Sequence, residues 1–343
     1  MIDTKNLNLH IMFLDKFIPP FIDFINQNFP PEEHLFVIYG KAMPELEYHP
    51  TSANVISFNS FNNFFYILPY INVAKRIIIH GLFFEEVVNL FNQMPQEILD
   101  KVYWVMWGGD FYFPEEQSQA KINLIKKIRN VITNDYDYKY LTDKYEVKPK
   151  NFACIMYPSN VYDPKNYEHL KENSKSELWI LVGNSAAPTN RHLFVFDKLK
   201  KFKQERIKIV VPLSYGKEKN YIRQVVEVGK EIFREKIIFI FDFLNYAQYL
   251  QILFNVHIGI FYQNRSQGFG NIIQLLGLGK KIYLDQNQAS YKYFSSLGIK
   301  VYSFDDEFDF NFDVTQLSRN ADIIKKKFSI DSLLSQWKEI FSN

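Results

Sequence analysis

The segment Tyr262-Gln-Asn-Arg-Ser-Gln-Gly-Phe-Gly-Asn271 follows an apolar run, Val256–Phe261, and opens a helical pattern. Gly268 and Gly270 let backbone approach a ligand closely. A helix starting at Gly268 would turn its free first-turn N–H groups and positive dipole end toward an anion, with Phe269 and Asn271 in that turn. Arg265 adds a planar guanidinium able to grip a diphosphate with two hydrogen bonds, and Gln267 lies beside it. The pattern is neither a complete G-x-G-x-x-G nor a P-loop, and an ordinary strand–helix turn with a surface arginine is the alternative. A second exit, Gly183-Asn-Ser185, follows the run Leu178–Val182. Asn184 or Ser185 could touch a phosphate or sugar there, while Thr189 or Asn190 could simply cap the next helix. In the first half, Val102-Tyr-Trp-Val-Met-Trp-Gly-Gly-Asp-Phe111 puts an acid just past a strand. Asp110 could act as general base toward a hydroxyl, or serve as a cap or turn residue. His80, at the end of the run Arg76–His80, is a reserve base or a satisfied structural histidine.

Other groups lead nowhere in particular. Asp135-Tyr-Asp137 has the spacing that one large class of sugar transferases uses for a divalent metal, but it reads better as a helix-entry turn. Asp305-Asp-Glu307 and Asp309 read as a solvated loop. No Cys/His cluster offers a metal site and no G-x-S-x-G elbow supports a nucleophilic serine, so no metal and no cofactor are expected.

These residues need elements to position them. In the first half, apolar runs at His10–Leu14, Leu35–Tyr39, Asn54–Phe58, Arg76–His80, Val102–Trp107 and Asn130–Thr133 alternate with helix candidates at 17–28, 60–71, 85–93 and 115–129. Several runs are apolar at consecutive positions, as parallel strands covered on both faces are. The pattern breaks from Tyr145 to Ser176 and then restarts. Strands are expected at Leu178–Val182, Ile207–Val211, Ile237–Phe241, Val256–Phe261 and Lys281–Leu284, with helices between them and a helical end. The expectation is an α/β protein with two Rossmann-like domains facing across a cleft: residues 1–160, a linker 161–175, residues 176–320, and a helical segment 321–343.

At 343 residues the chain is long enough for two cores. Its net charge of +2 argues against a nucleic-acid binder that works by bulk charge. The single cysteine, Cys154, rules out an internal disulfide and a cysteine-based zinc site. Residues 1–13 lack the charged and apolar regions of a signal peptide, and no run nears the roughly 18 apolar residues of a membrane span. The expectation is a cytoplasmic protein, soluble or peripherally attached to a membrane. Aromatic residues are plentiful at 17% of the chain. Phe17, Phe21, Phe24, Phe61, Phe64, Phe65, Tyr66 and Tyr70 are either helix packing or a surface that dips into a membrane interface.

Trp107-Gly-Gly-Asp110, Ile180-Leu-Val-Gly-Asn-Ser185, Val210-Val-Pro-Leu-Ser-Tyr-Gly216, Tyr221-Ile222 and Gln267-Gly-Phe-Gly270 occur in this order. Together they resemble the bacterial TDP-4-acetamido-4,6-dideoxy-D-galactose (N-acetylfucosamine) transferases of enterobacterial common antigen synthesis. Gly109 and Ser266 depart from that family's more usual Ala and Gln. The resemblance implies a metal-independent glycosyltransferase of the GT-B type that inverts the anomeric carbon. Its second domain would bind the TDP-sugar through Arg265, Gln267, Gly268, Phe269, Gly270, Asn271, Asn184, Ser185, Tyr215 and Tyr246. Its first domain would bind a glycan acceptor, free or carried on polyprenyl diphosphate at the cytoplasmic face of the inner membrane, as in O-antigen and related polysaccharide synthesis. A sugar-nucleotide epimerase and a non-catalytic nucleotide-binding subunit remain the alternatives.

Overall fold

The computed structural model describes residues 5–39, 52–58, 60–171, 177–216 and 218–343; of residues 61, 62 and 64 it describes the backbone only. These residues form two compact units, Met1–Ser159 with Asp331–Asn343, and Asn160–Ile330.

The first unit is built on seven strands: β1 (Asn8–Phe13), β2 (His34–Tyr39), β3 (Val55–Phe58), β4 (Arg76–His80), β5 (Val102–Val105), β6 (Asn130–Thr133) and β7 (Lys150–Ala153). They pair in parallel in the order β3-β2-β1-β4-β5-β6-β7. Runs such as Arg76-Ile-Ile-Ile-His80 are buried at every position, because a parallel sheet is covered on both faces. Branched Ile and Val residues suit that pleated, doubly packed surface. The chain leaves β1 toward β2 on one side and later places β4 on the other. The order therefore reverses between β1 and β4, where open α/β sheets bind ligands beyond their carboxyl ends.

The second unit repeats the plan with β8 (Leu178–Val182), β9 (Ile207–Pro212), β10 (Ile237–Ile240), β11 (Ile258–Phe261), β12 (Lys281–Leu284) and β13 (Tyr302–Ser303). Their order is β10-β9-β8-β11-β12-β13, again parallel, so the reversal falls between β8 and β11.

Several features differ from the sequence reading. Strand β7 lies inside the stretch expected to be irregular. It is an edge strand with only Phe152 buried, so it carries no apolar run to betray it. The second unit starts at Asn160, which leaves no separate linker at 161–175, and the end of the chain is divided. The helix Val314–Lys327 stays with the second unit, whereas the helix Ile330–Ser342 packs on the first. Its Trp337 is fully buried, with its ring 5.0 Å from that of Phe21. Residues Phe61–Ile67 form a 3₁₀ helix before the short helix Leu68–Val73.

The aromatic question also divides. Phe21 and Phe24 are core residues, and Phe17 and Tyr70 are half-buried. Phe65 and Tyr66 stand exposed at 65% and 72%. The side chains of Phe61 and Phe64 lie outside the described residues.

Candidate functional site

At the β8/β11 reversal the two glycine-bearing exits meet in a network of amides. Asn190 Oδ1 accepts from the Asn184 backbone N–H at 3.0 Å, which forces its Nδ2 to donate to the Ala187 carbonyl and to Ser185 Oγ. Gln263 Nε2 then donates to both Asn190 and Asn184 Oδ1, and Gln267 Nε2 also donates to Asn184 Oδ1. Thr189 Oγ donates to Gln267 Oε1 at 2.7 Å. Each carboxamide thus has one orientation, and Asn184 must turn its Nδ2 away from these bonds. It does so beside Gly268, where an added Cβ would lie 3.2 Å from Asn184 Cγ. Gly268 has φ +69° and caps the helix Phe269–Gly277 in the left-handed region, a conformation that favours glycine.

The same edge holds buried polar atoms without a hydrogen-bond partner in the protein: Gln263 Oε1, Gln288 Oε1, Asn264 Oδ1 and His192 Nε2. Gln263 is fully buried, and Gln288 is tied by its Nε2 to the Gln263 carbonyl, so neither oxygen can turn toward a donor of its own. His192 is equally fixed. Its backbone N–H donates to Tyr221 Oη, whose own proton then goes to His192 Nδ1. The ring is neutral, because burial pushes its pKa down to about 3, and it carries its hydrogen on Nε2. Leaving such groups unpaired in a dry interior costs about 1–3 kcal/mol each, so these four atoms call for a partner from outside the chain, water or ligand.

Several expected residues fall in place here and others do not. Asn184, Ser185, Gln267 and Gly268 come together, with Gly270 in the first turn of the helix. Tyr215, half-exposed, lies beside them, its carbonyl accepting from the Ala186 N–H. Arg265 is partly exposed on the same loop. The Phe269 ring instead packs on Phe294 and Tyr293, and the Asn271 side chain is bonded to Tyr249, so these two offer only backbone to this edge. Tyr246 stands exposed at the start of the helix Tyr246–Asn255. Gln263, His192 and Gln288 escaped the sequence reading. Gln263 lay inside the quoted segment, but nothing in a sequence distinguishes a ligand-facing amide from a capping one.

In the first unit Asp110 is fully buried, which departs from the free carboxylate expected of a base. Its Oδ2 accepts from the Leu82 N–H at 3.1 Å and from Trp104 Nε1 at 2.8 Å, and its Oδ1 from the Trp107 N–H at 3.0 Å. Burial raises its pKa, while these hydrogen bonds pull it back. Asp110 therefore clasps the exits of β4 and β5 together. His80 is fully buried too, bonded through Nδ1 to Tyr157 Oη at 2.7 Å and through Nε2 to His10. Burial pushes its pKa down to about 3, so it stays neutral.

The remaining candidates are structural. Asp137 is buried and receives Tyr112 Oη and Asn134 Nδ2, and Asn134 caps the helix Asp135–Tyr145, as the turn reading expected. Asp309 binds Lys281 Nζ at 2.8 Å. Among the described residues no group of three or more His, Cys, Asp or Glu side chains could hold a metal ion, and no helix is long and apolar enough to cross a membrane.

Residues 59–343 match the family model for 4-alpha-L-fucosyltransferases, glycosyl transferase group 56. The chain belongs to that family. Group 56 membership makes this protein a glycosyltransferase and sets aside the epimerase reading. The solved structures agree at the level of fold. Anabaena HepE in complex with UDP and glucose superposes with a TM-score of 0.68 at 12% identity, covering 97% of this chain and 99% of that one. A glycosyltransferase from Rickettsia africae gives 0.65 at 11% identity, covering 98% of each. The N-terminal domain of a Candida albicans trehalose-6-phosphate phosphatase gives 0.68 at 9% identity, covering 98% and 96%. The group 56 chain thus has the GT-B fold, built on two parallel sheets, each with its own reversal point.

Proposed function

We propose that this glycosyltransferase moves a 4-acetamido-4,6-dideoxygalactose, or a related deoxy-amino sugar, from its TDP-linked form to a lipid-linked glycan acceptor. The setting is cell-surface polysaccharide synthesis, of the enterobacterial common antigen or O-antigen kind, on the cytoplasmic face of the inner membrane. The observation that carries this reading is the β8/β11 edge. There a helix N-terminus, the outward Asn184 amide and Arg265 lie on neighbouring loops with buried polar atoms unpaired in the protein.

In the reaction an acceptor hydroxyl oxygen attacks the anomeric carbon from the face opposite TDP. The bond from that carbon to the diphosphate oxygen breaks and the hydroxyl proton leaves with a base. Negative charge grows on the departing diphosphate. The first-turn N–H groups of the helix Phe269–Gly277, Asn184 and Arg265 meet it, acting where charge develops. Tyr215, Phe243 and Tyr246, all exposed, supply stacking surface for the base. The first unit takes the acceptor, with Asp110 and His80 as positioning residues. Exposed Phe65 and Tyr66 support attachment to a membrane surface.

A thermal-shift series with TDP, UDP, GDP and CMP tests the donor assignment. TDP should stabilise the protein most. Arg265→Ala should weaken TDP binding about tenfold or more, and unchanged affinity would remove that residue from the site. Transfer should persist in excess EDTA, and the product's anomeric configuration, read by NMR, should be opposite to that of the donor.

A further inference from the structure

The first unit's reversal point has an entirely different chemistry. The exits of β1, β4 and β5 bring Phe13, Phe83 and Trp107 into one aromatic group, with ring centroids 5.1–5.8 Å apart, and Phe17 lies 5.7 Å from Trp107. Phe83 is 37% exposed and Trp107 half-buried. Gly81, at φ +82°, makes this packing feasible, because a Cβ there would lie 2.5 Å from the Phe83 ring.

Trp107 is held at both ends. Its backbone N–H is bound to Asp110, and its Nε1 donates to Tyr157 Oη at 2.8 Å. Behind Tyr157 runs a buried row of histidines. His80 Nδ1 meets Tyr157 Oη, His80 Nε2 meets His10 Nδ1 at 3.2 Å, and His10 Nε2 meets His34 Nδ1 at 3.1 Å. An indole N–H only donates, so Tyr157 must send its own proton to His80. That choice fixes every ring in turn. His80 donates from Nε2 to His10, and His10 donates from Nε2 to His34. Burial holds His34 and His80 at about 3 and His10 well below its ordinary value, so all three are neutral. The row also cannot pass a proton to the surface at Trp107, because the indole accepts none. It orients rather than conducts.

We propose that Trp107, with Phe13 and Phe83, stacks on the apolar face of the acceptor's pyranose ring. Asp110 and the row Tyr157–His80–His10–His34 are the positioning residues that fix the indole plane. The inference rests on the glycosyltransferase reading for the existence of a sugar acceptor. The ligand class follows from the surface itself. A half-exposed aromatic group at a sheet's reversal point suits a flat ring with C–H bonds on one face and hydroxyls on its rim. Lys16 Nζ lies over the Phe17 ring at 5.1 Å and the helices Ile18–Asn28 and Glu85–Asn92 begin beside the group, so it is the aromatic faces, not a lack of charge, that set the ligand class.

The probe is methyl β-D-glucopyranoside, whose substituents are all equatorial. Titrating it into ¹⁵N-labelled protein should shift the Trp107 indole N–H resonance saturably, while those of buried Trp104 and Trp337 stay in place. Trp107→Ala should weaken binding about tenfold or more, and Phe83→Ala about threefold or more. His80→Leu should move the Trp107 resonance and weaken the sugar, whereas His80→Asn, which keeps an acceptor at the Nδ1 position, should restore both. A common shift of all indoles, no shift at 100 mM sugar, or full affinity in Trp107→Ala would overturn the proposal. So would a His80→Leu protein, folded by circular dichroism, whose indole resonance is unmoved. TDP stabilisation is read on the same samples. Its absence in the wild type sinks the donor reading, whereas a missing sugar response with TDP stabilisation intact sinks this inference alone.

Discussion

Asp110 shows how one residue type at one position supports two different chemistries. A carboxylate past a strand end can take a proton, or it can collect the N–H groups that the strand ends leave unpaired. Three donors from β4's exit and from β5 and its exit converge on this side chain, and none of it is exposed. The two roles separate cleanly in Asp110→Asn. A general base replaced by its amide keeps its fold and loses turnover. A three-donor acceptor replaced by an amide must aim an NH₂ at one of those donors, which costs about 2–4 kcal/mol. Urea denaturation of Asp110→Asn should show that loss, and any residual transfer should retain the acid limb of its pH profile. A variant as stable as the wild type, with the limb gone, would restore Asp110 as the base. The sequence reading placed Asp110 correctly at the sheet edge. It could not see the burial, because the donors come from residues 3, 6 and 28 positions away.

At the scale of elements, the alternation of apolar runs with helical stretches was legible because parallel strands are covered on both faces. Arg76–His80, Asn130–Thr133, Leu178–Val182 and Lys281–Leu284 fall where the sequence reading put them. The edge strands β7 and β13 were not legible because β7 buries only Phe152 and β13 is two residues long, whereas the edge strands β3 and β10 carry apolar runs. The loop from β11 into the helix Phe269–Gly277 was legible too, through its glycines, but the amide network was not. Its members come from three separate segments, 184–190, 263–267 and 288. Gly268 joins the two levels. Gly268→Ala would force a left-handed residue against Asn184 and turn the outward amide, at about 1 kcal/mol of backbone strain. TDP affinity should fall more than stability does, with isothermal titration measuring the first and thermal melting the second. A loss confined to stability would mean that Asn184 does not face the nucleotide.

Over the whole molecule, the two units place opposite chemistries at equivalent points of the same topology. One reversal point is lined by amides and a helix N-terminus, the other by aromatic rings backed by neutral histidines. This arrangement has a cost in acid. His10, His34, His80 and His192 are buried, and burial depresses the pKa of each, to about 3 for the last three. In the unfolded chain a histidine takes up a proton near pH 6.5. Between that pH and the folded values the unfolded state therefore binds more protons, so stability is fully present above about pH 6.5 and is lost as pH falls toward 3. Each such histidine contributes about 1.4 kcal/mol per pH unit across that window. Asp110 acts in the opposite sense, since its raised pKa favours the folded state as acid protonates it, but it is one group against four. The melting temperature should thus drop steeply from pH 7 to pH 5, where ordinary carboxylates are still ionised. His192→Gln, which takes one titrating ring out of the second unit, should flatten that dependence by about one proton's worth of slope. A pH profile that is level down to pH 5 would mean that the buried histidines are protonated in the folded protein, and the one-way order of the row with them would be wrong.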